Sequence, residues 1–445
     1  MRITLPTLTL LLVPTLIAAA GAADARYRFP SGRKPGDVDR VAVSLELGGE
    51  LIERIGGKDS RAKLSVVCNL RYDEKTLDVP KTPGAPVRSA RYYDKADAVI
   101  RVDEEGFKPQ LRDPHRLIAV EADEKTATLF SPHGALSRDE LDLINVSGNS
   151  LLLDGLLPDG PVAVGDSWKL TEKLLMPLLD LDTVDAADVK GTLVEVTVDV
   201  ARFKLTGNVE GTTRGANTRI ELKGKYRFNR KAKRIDWLGL LIQEDREIGE
   251  VVYGLDVVAR LQVQIAPLAD SPQLTETALQ RISAKPAAKL TQLAHESKDA
   301  QWRFTYDRCW YVTTDRSELA VLRMLDRGEK VAQCNVSSLP TRPPDKLITL
   351  AEFQADVQRA LGESFRRLVE AGQFANESDY RVYRVVAHGE VEKVPIQWNY
   401  YLLADRHGRQ VVFAFTVEQK LLDRFKAADE KLLRNLRFLE PPETQ

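Results

Sequence analysis

The sequence predicts a mainly β protein, in which an N-terminal antiparallel β meander or half-barrel precedes an α+β domain made of an antiparallel sheet layered with two helices. Apolar and polar residues alternate from about Arg40 to Ile265, the period of strands with one buried and one wet face. Beyond a proline-containing stretch, strand patterns are mixed with two amphipathic helical patterns. A chain of 445 residues, 43% of them hydrophobic, can bury two cores, since single cores stop growing at about 250–300 residues.

Residues 1–23 have the order of a secretory signal peptide. Arg2 precedes an apolar run from Leu8 to Ala20, and small residues fill positions 18–23. We therefore expect cleavage in this region and export of a protein that is soluble in the periplasm or outside the cell. No later apolar segment is long enough to cross a bilayer, so no membrane span is expected after cleavage.

The composition argues against two classes of protein. The 64 Lys and Arg residues balance 65 Asp and Glu residues, so the chain lacks the positive field that gathers nucleic acid, and we expect no nucleic-acid partner. Cys68, Cys309 and Cys334 are too few for a disulfide framework. Cys309 and Cys334 fall on neighbouring predicted strands, which leaves a single disulfide between them open.

Residues 24–267 form the predicted β domain. Apolar side chains within 64–72, 220–228 and 255–265 alternate with polar ones, as in antiparallel strands with one solvated face. Ser137 and Glu140 form a capping box that predicts one helix between the strands. A curved amphipathic sheet has a concave apolar face that either closes over a core or holds a ligand. The candidate ligand-lining residues on that face are Leu222, Tyr226, Leu255 and Val257.

The segment Pro161–Trp168 contains the pattern P-V-x-V-G-D-x-W. We interpret it as a structural corner, in which Gly165 permits the bend and Trp168 packs into the core. This segment resembles a signature of exported bacterial β-rich domains of unknown function. A helix near Leu174–Leu179 is placed to cover the apolar face of the sheet.

Residues 268–299 are predicted to be an interdomain linker with one short helix around 274–282, because prolines and polar residues interrupt the pattern there. Residues 300–445 form the predicted α+β domain. Its strands are expected at 302–306, 309–312, 319–325, 330–336, 380–387, 396–404 and 410–415.

Two helices are predicted in this second domain. Thr349 and Glu352 form a capping box ahead of an apolar stripe that includes Phe365 and Leu368 and ends at Gly372. Thr416 and Gln419 are predicted to cap a last helix that carries Leu421, Phe425, Ala428, Leu432 and Leu436.

The C-terminal third resembles the PsbP-like fold. The likeness covers roughly Gln301–Leu439 and is carried by the W-x-F-x-Y opening at Trp302, the hairpin ending in Val331–Val336, and the closing strand Val411–Phe415 with its helix. This resemblance implies an antiparallel sheet between helices and a non-catalytic accessory or binding role. It assigns no set of ligand residues.

The sequence contains no recognisable catalytic motif, so we predict no catalytic residue, no cofactor and no enzymatic activity. It has no G-x-S-x-G elbow and no H-E-x-x-H pair. We interpret each of the five histidines as a turn or surface residue: His115, His133, His295, His388 and His407.

Three clusters of side chains have both a structural and a functional interpretation. The aromatic group Trp398, Tyr400 and Tyr401 is either core or a ligand platform. The basic run Arg227, Arg230, Lys231, Lys233 and Arg234 is either a charged hairpin tip or a contact for an anionic glycan or envelope surface. The acidic cluster is either a solvated loop or a weak calcium candidate that lacks the EF-hand order: Asp180, Asp182, Asp185 and Asp188.

These observations predict an exported, non-catalytic binding or accessory protein of the cell envelope. Its expected partner is another envelope protein or a hydrophobic small molecule. Two alternatives stay open, a carrier of a lipid or other hydrophobic ligand in the β domain and a hydrolase with an unfamiliar site. A deep apolar pocket in the β domain would favour the carrier, and histidines or carboxylates that converge in a cleft would favour the hydrolase.

Overall fold

The structure is a computed structural model that describes residues 25–80, 82, 85–282, 288–297, 301–343, 346–374 and 380–439. The predicted signal peptide lies outside the described residues. None of the described helices is both long and apolar enough to cross a bilayer.

Residues 38–268 form a succession of strands with two α-helices between them. The helices are α1 (Arg138–Ile144) and α2 (Glu172–Leu179). The strands are β1 (Val38–Ile55), β2 (Lys58–Asp78), β3 (Val87–Val102), β4 (Glu105–Phe107), β5 (Leu117–Ala122), β6 (Ala127–Phe130), β7 (Leu136–Ser137), β8 (Ser167–Lys169), β9 (Thr183–Val196), β10 (Val200–Thr213), β11 (Ala216–Asn229), β12 (Arg234–Arg246) and β13 (Gly254–Leu268).

All of these strands except β7 belong to one antiparallel sheet of twelve strands. Its order is β6-β5-β3-β2-β1-β13-β12-β11-β10-β9-β8, with β4 paired to β3. In chain order, β1, β2, β3, β5 and β6 therefore extend the sheet from its centre to one edge. Strands β8 to β13 then begin at the other edge and return to the centre. The two meanders join where β13 pairs with β1, from Val38 opposite Leu268 to Ile52 opposite Gly254. The predicted antiparallel meander is confirmed.

The period-two alternation is also confirmed. On β11, Ile220, Leu222 and Tyr226 are buried, whereas Glu221 and Lys223 between them are exposed. Leu64 on β2 and Leu261 on β13 are buried in the same way. Since successive side chains of a strand point to opposite faces, the buried set of each strand lies on one face of the sheet.

Helices α1 and α2 help to cover this buried face. Ser137 and Glu140 form the predicted capping box at the start of α1, with each side chain accepting the other residue's backbone N–H. Leu175 and Leu178 of α2 are buried in the same core as the sheet. The predicted cover near 174–179 is therefore confirmed.

The corner at Trp168 is close to the predicted one. Gly165 has a φ of 95°, in the left-handed region that favours glycine. Trp168 is half-buried, with its ring against Gly191, and its Nε1 donates to the carbonyl oxygen of Leu156 at 3.2 Å. The bend and the packing are as expected, although the indole is not fully enclosed.

The C-terminal part contains a second antiparallel sheet of seven strands, layered with helices. Its strands are β16 (Trp310–Arg316), β17 (Leu319–Asp326), β18 (Glu329–Leu339), β19 (Phe365–Phe374), β20 (Arg381–Val391), β21 (Val394–Ala404) and β22 (Gln410–Glu418), in the order β16-β17-β18-β22-β21-β20-β19. The helices are α5 (Leu350–Leu361), α6 (Leu422–Phe425) and α7 (Ala428–Arg434), numbered after two short helices in the connecting segment, α3 (Glu276–Leu279) and α4 (Ala288–Thr291).

Helix α5 and helices α6 and α7 pack on opposite faces of this sheet. Phe353 of α5 clusters with Val385 of β20, whereas Phe425 of α6 contacts Phe415 of β22 with ring centroids 6.0 Å apart. Val385 belongs to the cluster beneath α5, and Phe415 belongs to the core shared with the large sheet. The layered α+β arrangement is confirmed.

Two helix predictions in this domain are wrong. Gly362, with a φ of 52°, ends α5, and the predicted helical residues Phe365 and Leu368 belong to β19, whose backbone pairs with β20. At the end of the chain, Thr416 lies within β22 rather than at a helix cap. Lys426, at a φ of 51°, then divides the predicted last helix into α6 and α7.

A small third sheet joins the two parts of the molecule. It contains β7, β14 (Leu293–Glu296), β15 (Trp302–Tyr306) and β23 (Arg437–Phe438), in the order β23-β15-β14-β7, and β14 runs parallel to β7. The segment predicted as a linker thus contributes a strand as well as α3, which lies within the predicted 274–282 range. Arg138 reinforces the junction by donating to the carbonyl oxygen of Trp310 at 3.3 Å.

Candidate functional site

A cleft of about 770 Å³ opens beside the third sheet, between the large sheet's loops and the C-terminal strands. We call it the junction cleft. It is lined by the described residues Arg112, His115, Pro132, His133, Gly134, Ala135, Lys289, Leu290, Ala294, Arg303, Phe304, Thr305, Asn435 and Arg437.

The lining of the junction cleft is cationic. Arg112, Lys289, Arg303 and Arg437 contribute four positive charges, and no Asp or Glu is among its described lining residues. Within the described part of the chain, Lys289 and Arg303 form no ion pair, and Arg437 donates only to backbone carbonyl oxygens, among them that of Leu436 at 2.6 Å. These positive groups are therefore available to an external anion.

One carboxylate lies close to the free cations. Glu296 of β14 is directly opposite Arg303 of β15, so their side chains share a face of the third sheet. Its charge is also among those that raise the pKa of Arg112. The negative potential of Glu296 therefore offsets part of the cleft's positive charge.

Glu140 is the buried anchor of the cleft wall. Arg112 donates to it from Nε at 2.7 Å and from Nη2 at 2.6 Å, and the backbone N–H groups of Arg112 and Ser137 donate at 3.1 and 2.9 Å. Burial alone would raise the pKa of Glu140, but these hydrogen bonds and that of His115 hold it well below its usual range. Glu140 is therefore a fixed negative charge behind the cationic lining.

His115 completes this group and lies at the surface of the cleft. Its Nδ1 is 3.1 Å from Glu140 Oε2, and Arg112 Nη2 is already bonded to the same carboxylate. Nδ1 lies 3.2 and 3.1 Å from the two Glu140 oxygens and 3.2 Å from Arg112 Nη2. Because a carboxylate only accepts hydrogen bonds and Arg112 Nη2 already donates to it, we assign the proton to Nδ1, which donates to Glu140. Nε2 has no hydrogen-bond partner among the described residues, and a Cβ placed on Gly134 in the cleft lining would lie 3.7 Å from it.

The prediction that His115 is a turn or surface residue is therefore wrong in part, because its side chain is only 8% exposed. Pro114 starts the short 3₁₀ turn that holds it, and Glu140 reaches it from α1, 25 positions away. Sequence reasoning identified Glu140 only as a capping residue. The sequence does contain a signal for this group, an Arg and a His three residues apart. A carboxylate elsewhere in the chain can bridge such a pair.

The four predicted ligand-lining residues lie elsewhere, on the covered face of the large sheet. Leu222, Tyr226 and Val257 are almost fully buried, and Leu255 is half-buried. Tyr226 donates its hydroxyl proton to the carbonyl oxygen of Leu156 at 2.8 Å, and the ring of Phe203 stacks on it at 4.7 Å. Tyr226 is thus packed as core, with its polar group satisfied.

The four aspartates proposed as a weak metal site have separate hydrogen-bonding partners. Asp180 accepts from Asn145 at 3.1 Å, and Asp182 accepts from the backbone N–H of Gly215 at 3.0 Å. Of the other two, Asp185 accepts from Thr183 and Asp188 pairs with Lys190. In the described part of the chain, no group of three or more His, Cys, Asp or Glu residues is arranged to hold a metal ion.

The basic run forms the predicted hairpin tip between β11 and β12. Arg234 is buried against Asp37 and Asp39, Arg227 pairs with Asp236 at 2.7 Å, and Arg230 donates to backbone carbonyl oxygens. Carboxylates thus neutralise Arg227 and Arg234, two of the five basic side chains of this run. In the aromatic group, Trp398 and Tyr401 are buried and Tyr400 is half-buried, as core packing requires.

A second, smaller opening lies under α1, and we call it the α1 pocket. Its volume is about 190 Å³, and Asp139 and Asp142 are its acidic lining residues. The apolar lining comes from the first four strands, from the loop after β4, from α1 and from the residues that follow α1: Leu45, Val66, Cys68, Ala98, Ile100, Phe107, Pro109, Leu143 and Val146.

Comparison with known proteins shows no family for this chain. No protein-family model matches the chain. No curated protein matches it. Among solved structures, the cyanobacterial PsbP of Synechocystis is 15% identical with a TM-score of 0.28, over 35% of this chain and 96% of that one.

Two further solved structures match a similar share of the chain. A protein of unknown function from Pseudomonas aeruginosa is 12% identical with a TM-score of 0.23, over 34% of this chain and 99% of its own. A protein from Bacteroides thetaiotaomicron is 12% identical with a TM-score of 0.24, over 34% and 50%. Each of these three matches covers about a third of this chain, and none of them shows a family or a signature.

Proposed function

We propose that this protein is an exported, non-catalytic binding protein of the cell envelope that takes an anionic ligand into the junction cleft. The observation that carries this proposal is the set of cations lining the cleft, of which Lys289 and Arg303 have no ionic partner in the described residues. Unpaired cations in a concave site attract anions, and arginine forks match the planar oxygens of carboxylates and phosphates. The cleft volume lies within the range of about 300–1,000 Å³ typical of small-molecule sites.

Isothermal titration of the purified protein with pyrophosphate tests this proposal. The Arg437→Ala variant should bind pyrophosphate about tenfold to a hundredfold more weakly, since a hydrogen bond to a charged group contributes about 1.5–3 kcal/mol. Arg366→Ala is the matched control, because Arg366 also donates to nearby backbone carbonyl oxygens but lies on β19, outside the cleft. Glu296→Gln should strengthen binding, since it removes the negative charge opposite Arg303.

Failure of pyrophosphate to bind would contradict the proposal. Equal effects of the Arg437 and Arg366 substitutions would contradict it too, because binding would then reflect overall charge rather than the cleft.

The α1 pocket favours a second function, carriage of a small hydrophobic ligand in the β domain. An apolar cavity of about 150 Å³ is large enough to hold benzene, so this pocket matches one ring or a short alkyl chain. Hexanol should bind the wild-type protein, and Ala98→Leu should abolish that binding by filling the pocket. Unchanged hexanol binding by the Ala98→Leu variant would rule out this site.

The hydrolase alternative gains support from the convergence of His115 and Glu140 in a cleft. Among the described residues, no Ser, Thr or Cys side chain is hydrogen-bonded to His115 Nε2, so His115 would have to activate water. A hydrolytic activity of the wild-type protein towards phosphate or carboxylate esters that disappears in His115→Ala would establish this alternative in place of simple binding.

A further inference from the structure

We propose that His115 is a ligand-contacting residue of the junction cleft and that the cleft takes up one proton with each fully ionised oxyanion it binds. This inference rests on the proposed function, because it assigns a role to a residue of that same site. It would make the affinity of the cleft for sulfate-like and phosphate-like anions depend on pH, with tighter binding in acid.

The imidazole of His115 has a fixed orientation. Glu140 accepts from Nδ1 and is itself held by the backbone and side chain of Arg112. A ring anchored in this way presents Nε2 to the cleft, and Nε2 has no competing partner among the described residues. A buried carboxylate that accepts a hydrogen bond from one ring nitrogen of a histidine fixes which of the two nitrogens carries the proton.

The hydrogen-bonding character of Nε2 depends on whether the ring is protonated. In neutral His115, Nε2 is an acceptor with a lone pair directed at the site where an anion would lie. Two acceptors repel each other, so a fully ionised oxyanion is poorly matched to the neutral ring. In the imidazolium form Nε2 donates a charge-assisted hydrogen bond to the same oxyanion. Anion binding therefore favours protonation of His115.

The charges around His115 allow this coupling. Glu140 faces the ring from α1 and stays ionised over the physiological range, because its pKa lies well below the usual value. The surrounding cations keep their charge, so they attract the anion at every pH without contributing to its pH dependence. The other charged or titratable groups around the ring are Arg112, the Asp113–Arg116 pair, His133, Lys289, Glu296, Arg303 and Arg437.

His133 is the other histidine among the described lining residues, and it supplies the matched control. It is exposed, and Nδ1 of its ring lies 3.5 Å from Arg281 Nη1 rather than beside a carboxylate. No buried acceptor therefore fixes its orientation. His133→Gln should leave the pH dependence in place, whereas His115→Gln should remove it.

Sulfate is the appropriate probe, because its own charge does not change between about pH 5 and pH 9. Calorimetric titration of the wild-type protein should show sulfate affinity at least tenfold weaker at about pH 8 than at about pH 5.5, as expected when one proton is bound with the ligand. Titrations at one pH in two buffers of different ionisation enthalpy should give net proton uptake. His115→Gln should bind sulfate with the same affinity at both pH values and without proton uptake.

A second measurement needs no variant. The ring-proton NMR signals of the five histidines can be followed against pH with and without sulfate, and the signal of His115 should shift its midpoint to higher pH when sulfate is present. Sulfate binding that is independent of pH, or pH dependence that survives in His115→Gln, would overturn the inference and leave the anion site intact. Failure of sulfate and pyrophosphate to bind at any pH would overturn the proposed function itself.

Discussion

Replacing Arg91 by methionine tests how the large sheet is stabilised. Arg91 on β3 and Glu74 on β2 have side chains that are 3% and 1% exposed, and Arg91 Nε donates to Glu74 Oε1 at 2.7 Å. The hydroxyl groups of Ser89 and Ser150 donate to the same carboxylate at 2.9 and 2.7 Å. Arg91→Met keeps most of the side-chain volume but leaves the buried carboxylate without its guanidinium partner.

We expect Arg91→Met to lower the free energy of unfolding at pH 7 by about 3–5 kcal/mol, the usual consequence of removing one partner from a buried ion pair. The double variant Arg91→Met/Glu74→Gln should lose less than the sum of the two single variants, by about 1–3 kcal/mol, because the unpaired charge is gone. Arg202→Met is the control, since the pair of Arg202 with Glu195 is about half exposed and should contribute less than about 1 kcal/mol.

The difference between wild type and Arg91→Met should also depend on pH. Burial alone would raise the pKa of Glu74, but Arg91, Arg33 and the hydrogen bonds hold it below its ordinary value. A depressed pKa stabilises the folded state above the unfolded-state pKa of about 4.3, and this contribution is lost as pH falls through the folded-state value. Arg91→Met removes the strongest of these lowering interactions, so the difference in stability between the two proteins should shrink as pH falls below about 4.3 and through the folded-state pKa of Glu74.

Urea unfolding followed by far-ultraviolet circular dichroism, at pH 7 and at about pH 4, measures all five proteins: wild type, Arg91→Met, Glu74→Gln, the double variant and Arg202→Met. An Arg91→Met variant as stable as Arg202→Met would refute the reasoning. So would strict additivity in the double variant, since independent effects would mean that the two buried groups do not interact.

Three further predictions concern other parts of the molecule. Glu140→Gln should lower the free energy of unfolding by about 2–4 kcal/mol at pH 7 through lost charge-assisted hydrogen bonds, and this loss should shrink progressively as pH falls from the unfolded-state pKa of about 4.3 towards the depressed folded-state pKa of Glu140; acid titration of stability checks this. Gly191→Val would place a Cβ 2.7 Å from the Trp168 ring, so it should cost about 1–3 kcal/mol and shift tryptophan emission to the red, whereas Gly48→Val, with open space at its Cβ, should do neither. The cysteines Cys68, Cys309 and Cys334 are free, so thiol titration of the unfolded, unreduced protein should find all three, and one thiol would indicate a disulfide.

The strands could be predicted from the sequence because burial of one face imposes period two directly on the residue pattern. The stripe through Phe365 and Leu368 shows where this kind of reasoning fails. Apolar residues at helical spacing fit a continued α5, but Gly362 ends the helix and the edge of the second sheet offers β19 a partner in β20. That choice is made by long-range backbone pairing, which a local pattern does not contain.

The junction cleft could not be predicted because its lining comes from segments that are distant along the chain. Arg112 lies in the loop between β4 and the turn that holds His115, whereas Arg303 lies on β15, and both line the cleft. The chain's overall charge of −1 conceals a local excess of positive charge at this place. The burial of His115 could not be predicted either, because it depends on Glu140 approaching the ring from α1.

A crystal structure of the full chain grown or soaked with sulfate at about pH 5.5 tests the central claim most directly. The account predicts a sulfate ion in the junction cleft, within hydrogen-bonding distance of His115 Nε2 and of the Arg303 or Arg437 guanidinium. Sulfate bound only at other positions, with water alone in the cleft under the same conditions, would contradict it.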